Sequence, residues 1–263
     1  MSRSAFYKRR KRKRTKHEKK AVVLKLVKNV RQDQPRVGTR KLYKELKPLF
    51  KKARISMGRD KLFSVLREAD KLVKPKKSFT KTTYSRHSYA VAPNRIKELE
   101  VKGPAEVLVS DITYLRLEKG KFAYLFLVTD LFSRKVLGYH VTQDLSHYSA
   151  CIALERAVGQ LERSAGVIHH SDRGCQYCCH EYLKRLAQYG MRSSMTDDDH
   201  CYQNAVAERV NGILKDEFNL DAVFRTFDDL RATVDKAICV YNTKRLHFSL
   251  ELRTPEQVYA NAA

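Results

Sequence analysis

The sequence has no long apolar run, few cysteines, and few acidic residues in its first 102 positions. No segment approaches the roughly 20 apolar residues that a membrane-spanning helix needs, and the N-terminus enters basic residues without an apolar signal segment. Six cysteines in 263 residues are too few for a disulfide scaffold, so reduced thiols are expected. These absences exclude a disulfide-rich secreted protein and predict a cytoplasmic protein that does not enter a membrane.

The scarcity of acidic residues is confined to one part of the chain. Residues 1–102 contain 34 Lys and Arg against 8 Asp and Glu, whereas residues 103–263 contain 19 against 21. At 43% hydrophobic residues the chain has enough apolar side chains for a core. A basic region joined to a nearly neutral globular one favours a polyanionic partner, most often nucleic acid, because clustered cations release the counterions of phosphates.

The basic region divides by pattern into three parts. Residues 1–18 form a basic arm, which is either a solvated tail or a segment that contacts DNA. Residues 19–73 have the apolar spacing of short helices, and residues 74–104 lack periodicity and contain three prolines, which is typical of a linker.

Three amphipathic helices are predicted within residues 19–73. The first runs from Lys19 to a stop at Gln34-Pro35, the second begins at Gly38-Thr39, and the third is capped by Ser56. This pattern predicts a helix-turn-helix bundle. Its basic residues are either an ordinary solvated face or a DNA-binding surface, and the scarcity of acids favours DNA. The predicted DNA-binding residues of the bundle are Arg36, Arg40, Lys41, Lys44, Arg59 and Lys61.

Residues 105–263 show a different pattern, in which strands come first and then alternate with helices. Three strands in succession are predicted over about 107–115, 122–129 and 135–141, followed by short strands ending near His170 and Met195 with helices between them. This order predicts an α/β fold with a mixed five-stranded sheet flanked by helices.

Three acidic residues of this region occupy unusual positions. Asp111 interrupts an apolar strand, Asp172 follows another strand, and Glu208 shares a helix face with Lys215. Each acid alone is more simply a capping or solvent-facing carboxylate. Together they can converge at one edge of the sheet, where their repulsion requires a divalent cation. Oxygen ligands and a phosphate substrate suit Mg²⁺ or Mn²⁺, and two such ions about 4 Å apart serve phosphoryl transfer.

Four short motifs follow one another between residues 105 and 259. They are Ser110–Tyr114, His169–Gly174, Asn204–Glu208 with Leu214-Lys215, and Tyr241–His247. Between the three acids lie 60 and then 35 residues. In motifs and spacing, this region resembles the catalytic core of insertion-sequence transposases of the IS three family, which are related to retroviral integrases. The helical region 20–73 also resembles the helix-turn-helix segment that precedes this core.

The resemblance implies a ribonuclease-H-like core preceded by a small all-α region. It further implies that Asp111, Asp172 and Glu208 hold two Mg²⁺ or Mn²⁺ ions. The activity would be cleavage at the ends of an insertion sequence, followed by transfer of the freed 3′-hydroxyl to target DNA. Lys215 would contact a phosphate of the DNA end.

Partners and location follow from the same resemblance. The implied partners are duplex DNA from the element ends and the target, further copies of the chain on DNA, and the product of an upstream reading frame, either as a partner protein or as a frameshift fusion, on which members of this family commonly depend. The implied location is the bacterial cytoplasm, with the protein on the nucleoid when it is bound to DNA. Two alternatives remain open: a nuclease of the same fold that stops at hydrolysis, and a non-catalytic DNA-binding relic of a transposase.

Other residues with chemical potential receive simpler interpretations. Cys175, Cys178, Cys179 and His180 include a Cys-x-x-Cys spacing, but without a second ligand pair they are expected to be packed thiols rather than a zinc site. A turn role is expected for Asp130 and a packing or supporting role for His169 and His170. Residues 197–199, three aspartates, are expected to form an acidic loop.

Overall fold

The structure, a computed structural model, describes residues 3–74, 91–197 and 204–262. The chain separates into two compact units, Met1–Lys77 and Ser78–Ala263, each of which is described by itself. Within the described residues, no helix is long and apolar enough to cross a membrane.

The first unit consists of three helices around a small apolar core. They are α1 (Arg3–Asp33), α2 (Thr39–Lys52) and α3 (Arg59–Glu68). The buried side chains come from the predicted apolar faces, and they are Val23, Val27, Leu42, Leu46, Phe50, Leu62 and Leu66. An ion pair of 2.9 Å between Lys20 and Glu68 joins α1 to α3.

Two helix starts differ from the predicted ones. The first helix begins at Arg3 rather than Lys19, so the basic run is part of α1; Lys and Arg are good helix formers. The third helix is preceded by Gly58 rather than capped by Ser56, because Gly58 has the extended backbone of an N-cap and its carbonyl accepts from the amide of Leu62.

The second unit is built on a twisted mixed sheet. Its strands are β1 (Val107–Leu117), β2 (Phe122–Asp130), β3 (Val136–Thr142), β4 (Ile168–Ser171), β5 (Arg192–Met195) and the two-residue β6 (Val223–Phe224). The order across the sheet is β3-β2-β1-β4-β5, with β2 antiparallel to β1 and β3 and the other pairs parallel. The five predicted strands are present, and β6 adds a sixth by pairing with the far end of β1.

Helices cover both faces of this sheet. The α-helices described in the second unit are α4 (His147–Val158), α5 (Cys175–Cys178), α6 (His180–Gln188), α7 (Ala205–Glu217), α8 (Phe227–Thr243) and α9 (Pro255–Ala260). The apolar cluster of Leu108 and Phe126 includes α4, α5 and α6, whereas the cluster of Leu115 and Leu125 includes α7 and α8. Alternate residues of β1 therefore face different helical layers, and Asp111 lies on the side of α7.

The second half of the predicted linker packs against the sheet instead of running free of it. Residues 75–90 lie outside the described residues, but residues 91–104 pack on the sheet unit. The amide of Arg95 donates to Ser194 Oγ at 2.9 Å, its Nε donates to the carbonyl of Ser193, and Ile96 and Val101 join an apolar cluster with β1 and β4. The segment packs here because residues 92, 96 and 101 carry apolar side chains that contact the sheet unit. These side chains do not recur with the period of a helix or a strand, so the sequence pattern did not predict the contact.

Candidate active site

Asp111 and Asp172 lie side by side because β1 and β4 are parallel neighbours. Ser110 is paired with Ser171 in the register, and each aspartate is the next residue along its chain. Asp172 begins the turn between β4 and α5, and its Oδ1 accepts from the amide of Gly174 at 3.0 Å. Asp111 and Asp172, which have 60 residues between them in the sequence, are thus neighbours at the ends of two adjacent strands.

Glu208 approaches this pair from the first turn of α7. The helix is joined to β1 by two asparagines: Asn204 Nδ2 donates to the carbonyl of Ser110 at 2.9 Å, and Asn211 Nδ2 donates to Asp111 Oδ2 at 2.8 Å. Glu208 lies between them in sequence, and its side chain is exposed. Glu208 therefore stands exposed beside the edge of the sheet at which Asp111 and Asp172 are neighbours.

Burial and mutual repulsion act on these carboxylates. Burial, then the charge of Asp172 and more weakly that of Glu208, raises the pKa of Asp111 to about 7, against opposing hydrogen bonds from Asn211 and the amide of Ile112. The pKa of Glu208 is also raised, first by partial burial and then by Asp172. The three acids are thus electrically coupled, which is the condition that favours a bound cation.

The carboxylates do not form a closed ligand cage. Within the described parts of the chain, no three His, Cys, Asp or Glu side chains are gathered as a metal-binding group. The exposed position of Glu208 accounts for this, because Asp111 and Asp172 are adjacent while Glu208 stands at the solvent margin. The structure brings together two of the acids and leaves the third within electrostatic range of them.

The raised pKa of Asp111 predicts a pH-dependent stability for the metal-free protein. Its folded pKa of about 7 exceeds the ordinary value of 3.8, so the folded state holds an extra proton between these pH values and loses stability as pH rises through 7. Asp111→Asn, which cannot ionise, is expected to melt about 5 °C above wild type at pH 8 in EDTA and at the wild-type temperature near pH 4. Thermal unfolding across pH measures this; a constant difference at every pH would contradict the assignment.

Lys215 faces the same site from the next turns of α7. Its side chain is half-buried, and burial lowers the pKa of its ammonium while the charges of Asp111 and Asp221 raise it. The interaction with Asp111 means that the cation lies on the site's side of the helix, as the predicted phosphate contact requires.

The predicted DNA-binding residues of the helical unit differ in accessibility. Arg40, Lys44, Arg59 and Lys61 are exposed, and Arg36 is half-buried with its Nη2 donating to the carbonyl of Lys74. Lys41 is a correction: it is only 7% exposed and packs within the helical unit, so its ammonium is not presented to a DNA phosphate as predicted. Lys41 lies about 100° from the core residue Leu42 around α2, so its burial results from packing within the helical unit and not from a place on the apolar face.

The two histidines before Asp172 are buried supports. His169 Nε2 lies 2.7 Å from Ser110 Oγ and 2.9 Å from the hydroxyl of Tyr182, and burial lowers the pKa of His169 to about 3. His170 Nδ1 lies 2.9 Å from Ser194 Oγ. A neutral, enclosed imidazole that bridges β1 and α6 holds the strand ends in place, so the supporting role expected for the pair is confirmed.

The cysteine motif contributes packed thiols. Cys178 and Cys179 are buried, with Cys178 Sγ 3.6 Å from the sulfur of Met195 and Cys179 Sγ donating to the carbonyl of Gln176. Burial raises the pKa of Cys178 to about 11, so its thiol is protonated at neutral pH and is a poor metal ligand.

The remaining acidic candidates also have structural partners. The carboxylate of Asp130 is buried and accepts from the amide of Ala105 and from the amide and hydroxyl of Ser133, which confirms its turn role. Asp197 pairs with Lys97 at 3.6 Å, while residues 198 and 199 of the predicted acidic loop lie outside the described residues.

Sequence reasoning missed the residues that hold these elements together. In the fourth motif, Asn242 bonds both the amide and the carbonyl of Val136 on β3, and Arg245 makes two hydrogen bonds to Glu217 at the end of α7. Asn211 was visible only as a polar residue on the same helix face as Glu208. The signal available was a set of asparagines at buried helical positions, where apolar residues are the norm.

Comparison with known proteins places the chain in a family. Two family models, each described as integrase core domain, match residues 101–201 and 189–255. A Shigella sonnei protein described as "Insertion element IS600 uncharacterized 31 kDa protein" is 33% identical over 215 residues, covering 81% of this chain and 77% of that protein. Transposase InsF for insertion sequence IS3A of Escherichia coli (strain K12) is 35% identical over 194 residues, covering 73% and 67%.

A solved structure is similar to this chain in fold. The cryoEM structure of the simian T-cell lymphotropic virus intasome in complex with PP2A regulatory subunit B56 gamma matches with a TM-score of 0.53 and 17% identity, over 78% of this chain and 67% of that chain. The predicted ribonuclease-H-like fold is thereby confirmed. Fold and matched core domain define a DDE-type polynucleotidyl transferase. Within that class, the chain belongs to the IS3 family of insertion-sequence transposases.

Proposed function

We propose that this transposase cleaves DNA at insertion-sequence ends and joins the freed 3′-hydroxyl to target DNA at the edge of the sheet where Asp111, Asp172 and Glu208 meet. The observation that carries the proposal is the adjacency of Asp111 and Asp172 on parallel strands, with Glu208 electrically coupled to both. An arrangement that raises the pKa of its own carboxylates costs stability, and such a cost is expected where a cation is to be bound.

The three acids fit a pair of hard divalent cations, Mg²⁺ or Mn²⁺. Their donors are carboxylate oxygens, and their mutual repulsion is relieved by positive charge. When bound, such ions polarise the scissile phosphodiester and neutralise charge that develops on it. The role of the chain is to hold the carboxylates: Asp111 through the amide of Ile112 and Asn211, and Asp172 through the amide of Gly174.

The helical unit is proposed to bind duplex DNA through its exposed cations. Arg40, Arg59 and Arg67 line an open groove of about 610 Å³ on α2 and α3, together with Asp60, Phe63 and Ser64. Guanidinium groups bind phosphates in a fixed fork geometry, so three of them around one groove suit a DNA backbone. Arg36, Lys44 and Lys61 belong to the same proposed interface, while the buried Lys41 does not.

Covalent joining of a DNA end to target DNA distinguishes the proposed transposase from a nuclease of the same fold that stops at hydrolysis. A duplex that ends in the element's terminal sequence and carries a labelled 3′-hydroxyl is incubated with the protein, unlabelled target plasmid and Mg²⁺ or Mn²⁺. We expect label to become covalently attached to the plasmid without ATP. Cleavage without attachment would indicate the nuclease alternative, and DNA binding with neither reaction would indicate the non-catalytic relic.

Lys215 is proposed to hold a phosphate of the DNA end beside the triad. Lys215→Ala is expected to raise the donor DNA concentration needed for half-maximal joining by about tenfold, while the metal concentration required stays the same. Lys215→Arg keeps the charge and is expected to retain part of the wild-type affinity. Joining rates against donor concentration measure both. The exposed Lys184 of α6 supplies the control, Lys184→Ala, and equal curves for all four proteins would show that Lys215 is not a DNA contact.

The assembly and setting of the protein follow from this reaction. We infer that several copies act together on DNA, since two ends and a target must be held at once. A partner encoded in an upstream reading frame, or a frameshift fusion with it, is proposed from the IS3-family resemblance. The proposed location is the bacterial cytoplasm and nucleoid, where the DNA substrate lies.

A further inference from the structure

Two asparagines of α7 join this helix to the strand that carries Asp111. Asn204 is 3% exposed and Asn211 5% exposed, and their Nδ2 groups donate to the carbonyl of Ser110 and to the carboxylate of Asp111. At about 100° per residue the two positions lie within roughly 20° of each other around the helix, two turns apart. The line along α7 that carries these two side chains is the seam by which the helix binds β1. Glu208 lies roughly 40–60° around the helix from this seam, so Glu208 is exposed while the two asparagines are buried.

Both asparagines are only half satisfied. In each, Oδ1 is buried and has no hydrogen-bond partner among the residues that the structure describes. A buried acceptor without a partner costs about 1–3 kcal/mol. An apolar side chain such as leucine would remove this cost, but it would leave the carbonyl of Ser110 or the carboxylate of Asp111 without its donor.

Asn242 shows how the same fold makes a satisfied clamp. It joins α8 to β3, accepting at Oδ1 from the amide of Val136 at 3.0 Å and donating from Nδ2 to its carbonyl at 2.9 Å. A clamp needed only for packing is therefore available in a form with both amide atoms paired. The unsatisfied form occurs at the two positions that flank Glu208.

We propose that Asn204 and Asn211 are positioning residues that set the place of Glu208 and the orientation of the Asp111 carboxylate; this deepens the proposed function and rests on it. Two attachments along one line of α7 prevent the helix from rotating or sliding on β1. Asn211 does more, because Asp111 Oδ1 accepts from the amide of Ile112 and Oδ2 from Asn211, so both oxygens are held. Each oxygen keeps a second lone pair for a cation.

The test uses Asn211→Leu in the full chain, with binding of Mn²⁺ followed by calorimetric titration and unfolding followed in EDTA. Leucine keeps the volume and removes the unpartnered oxygen, but it also leaves Asp111 Oδ2 without its donor. These two effects oppose each other, so the metal-free melting temperature is expected to stay within about 5 °C of wild type. Affinity for Mn²⁺ is expected to fall by about 10-fold or more, because the carboxylate is no longer oriented. Wild-type affinity in this variant would overturn the proposal.

A second pair separates the lost hydrogen bond from lost packing and serves if the leucine variant does not fold. Asn211→Ala and Asn211→Ser leave similar volumes, but serine keeps a hydroxyl donor, so it is expected to retain more Mn²⁺ affinity than alanine. Asn242→Leu is the matched control: it is expected to lower the melting temperature by several degrees through the unpaired groups of Val136 and to leave Mn²⁺ affinity unchanged. Equal Mn²⁺ affinities of the alanine and serine variants, or an equal loss in Asn242→Leu, would reduce Asn211 to a packing residue.

Joining assays on the same preparations distinguish a failure of the asparagine clamp from a failure of the proposed function. A wild type that binds Mn²⁺ but never joins DNA would overturn the proposed function, while the asparagine variants would still test the clamp. A wild type that binds no Mn²⁺ would overturn both.

Discussion

Asp111→Asn, Asp172→Asn and Glu208→Gln are each expected to lower the rate of strand joining by at least about 1,000-fold, which corresponds to roughly 4 kcal/mol of activation free energy. Each change removes one negative charge from a group whose members raise one another's pKa, and it leaves the side-chain shape almost unchanged. The affinity for duplex DNA is expected to stay within a few fold, because most of the proposed DNA contacts belong to the helical unit and Lys215 is unchanged in these variants. Joining of a labelled donor end, with binding measured by fluorescence anisotropy, checks both expectations.

The control for the triad is an acid of similar type outside the site. Asp228, in the first turn of α8, is exposed, and Asp228→Asn is expected to join DNA at the wild-type rate. Near wild-type joining by any one of the three triad variants would remove that residue from the proposed site. An equal loss in Asp228→Asn would mean that the assay reports general charge or folding rather than the triad.

The second large effect concerns salt and the helical unit. Affinity of the full chain for duplex DNA is expected to fall about 10³-fold or more between 50 and 200 mM salt, because six or more phosphates are neutralised by Lys and Arg. A fragment of residues 1–77 is expected to keep most of this dependence, and residues 78–263 to bind much more weakly. The fragment boundary follows the two compact units and lies near the start of the predicted linker rather than at its end, since residues 91–102 pack on the sheet unit.

Individual cations can be assigned by the slope of this dependence. Replacing Arg40 and Arg59 together with alanine is expected to reduce the slope of log affinity against log salt by about 2. The control is Lys184→Ala on α6, for which the slope is expected to be that of wild type. Equal affinities of the two fragments at moderate salt, or an unchanged slope in the double variant, would contradict the assignment of DNA binding to the helical unit.

Much of the fold was predictable because its signals are local. The apolar spacing of residues 19–73 predicts three helices, and three helices are present. The strands of the second unit lie within a few residues of their predicted bounds, because a buried strand next to a turn is recognisable from its own residues. The start of α1 was missed, since a run of Lys and Arg has no apolar period even though both are good helix formers.

The candidate site was only partly predictable. The identity of Asp111, Asp172 and Glu208 as a group came from motifs and gaps, and their roles in catalysis stay a prediction. Lys41 was predicted as a DNA contact from composition, but packing within the helical unit buries it. No pattern indicated that Asn211 reaches the carboxylate of Asp111, because that contact depends on how α7 docks across β1.

The sequence by itself determined the uneven charge, the three-helix pattern, the alternating strands and the family, all of which are properties of residues near one another or of ordered motifs. Only the tertiary structure decided that Asp111 and Asp172 are neighbours, that Glu208 stands exposed beside them, and that Asn204 and Asn211 bind α7 to β1. The physical reason is that strand pairing and helix docking join residues 60 to 100 positions apart. The register of β1 with β4 and the seam of α7 along β1 are set by the packing of both apolar layers together, which no single segment encodes.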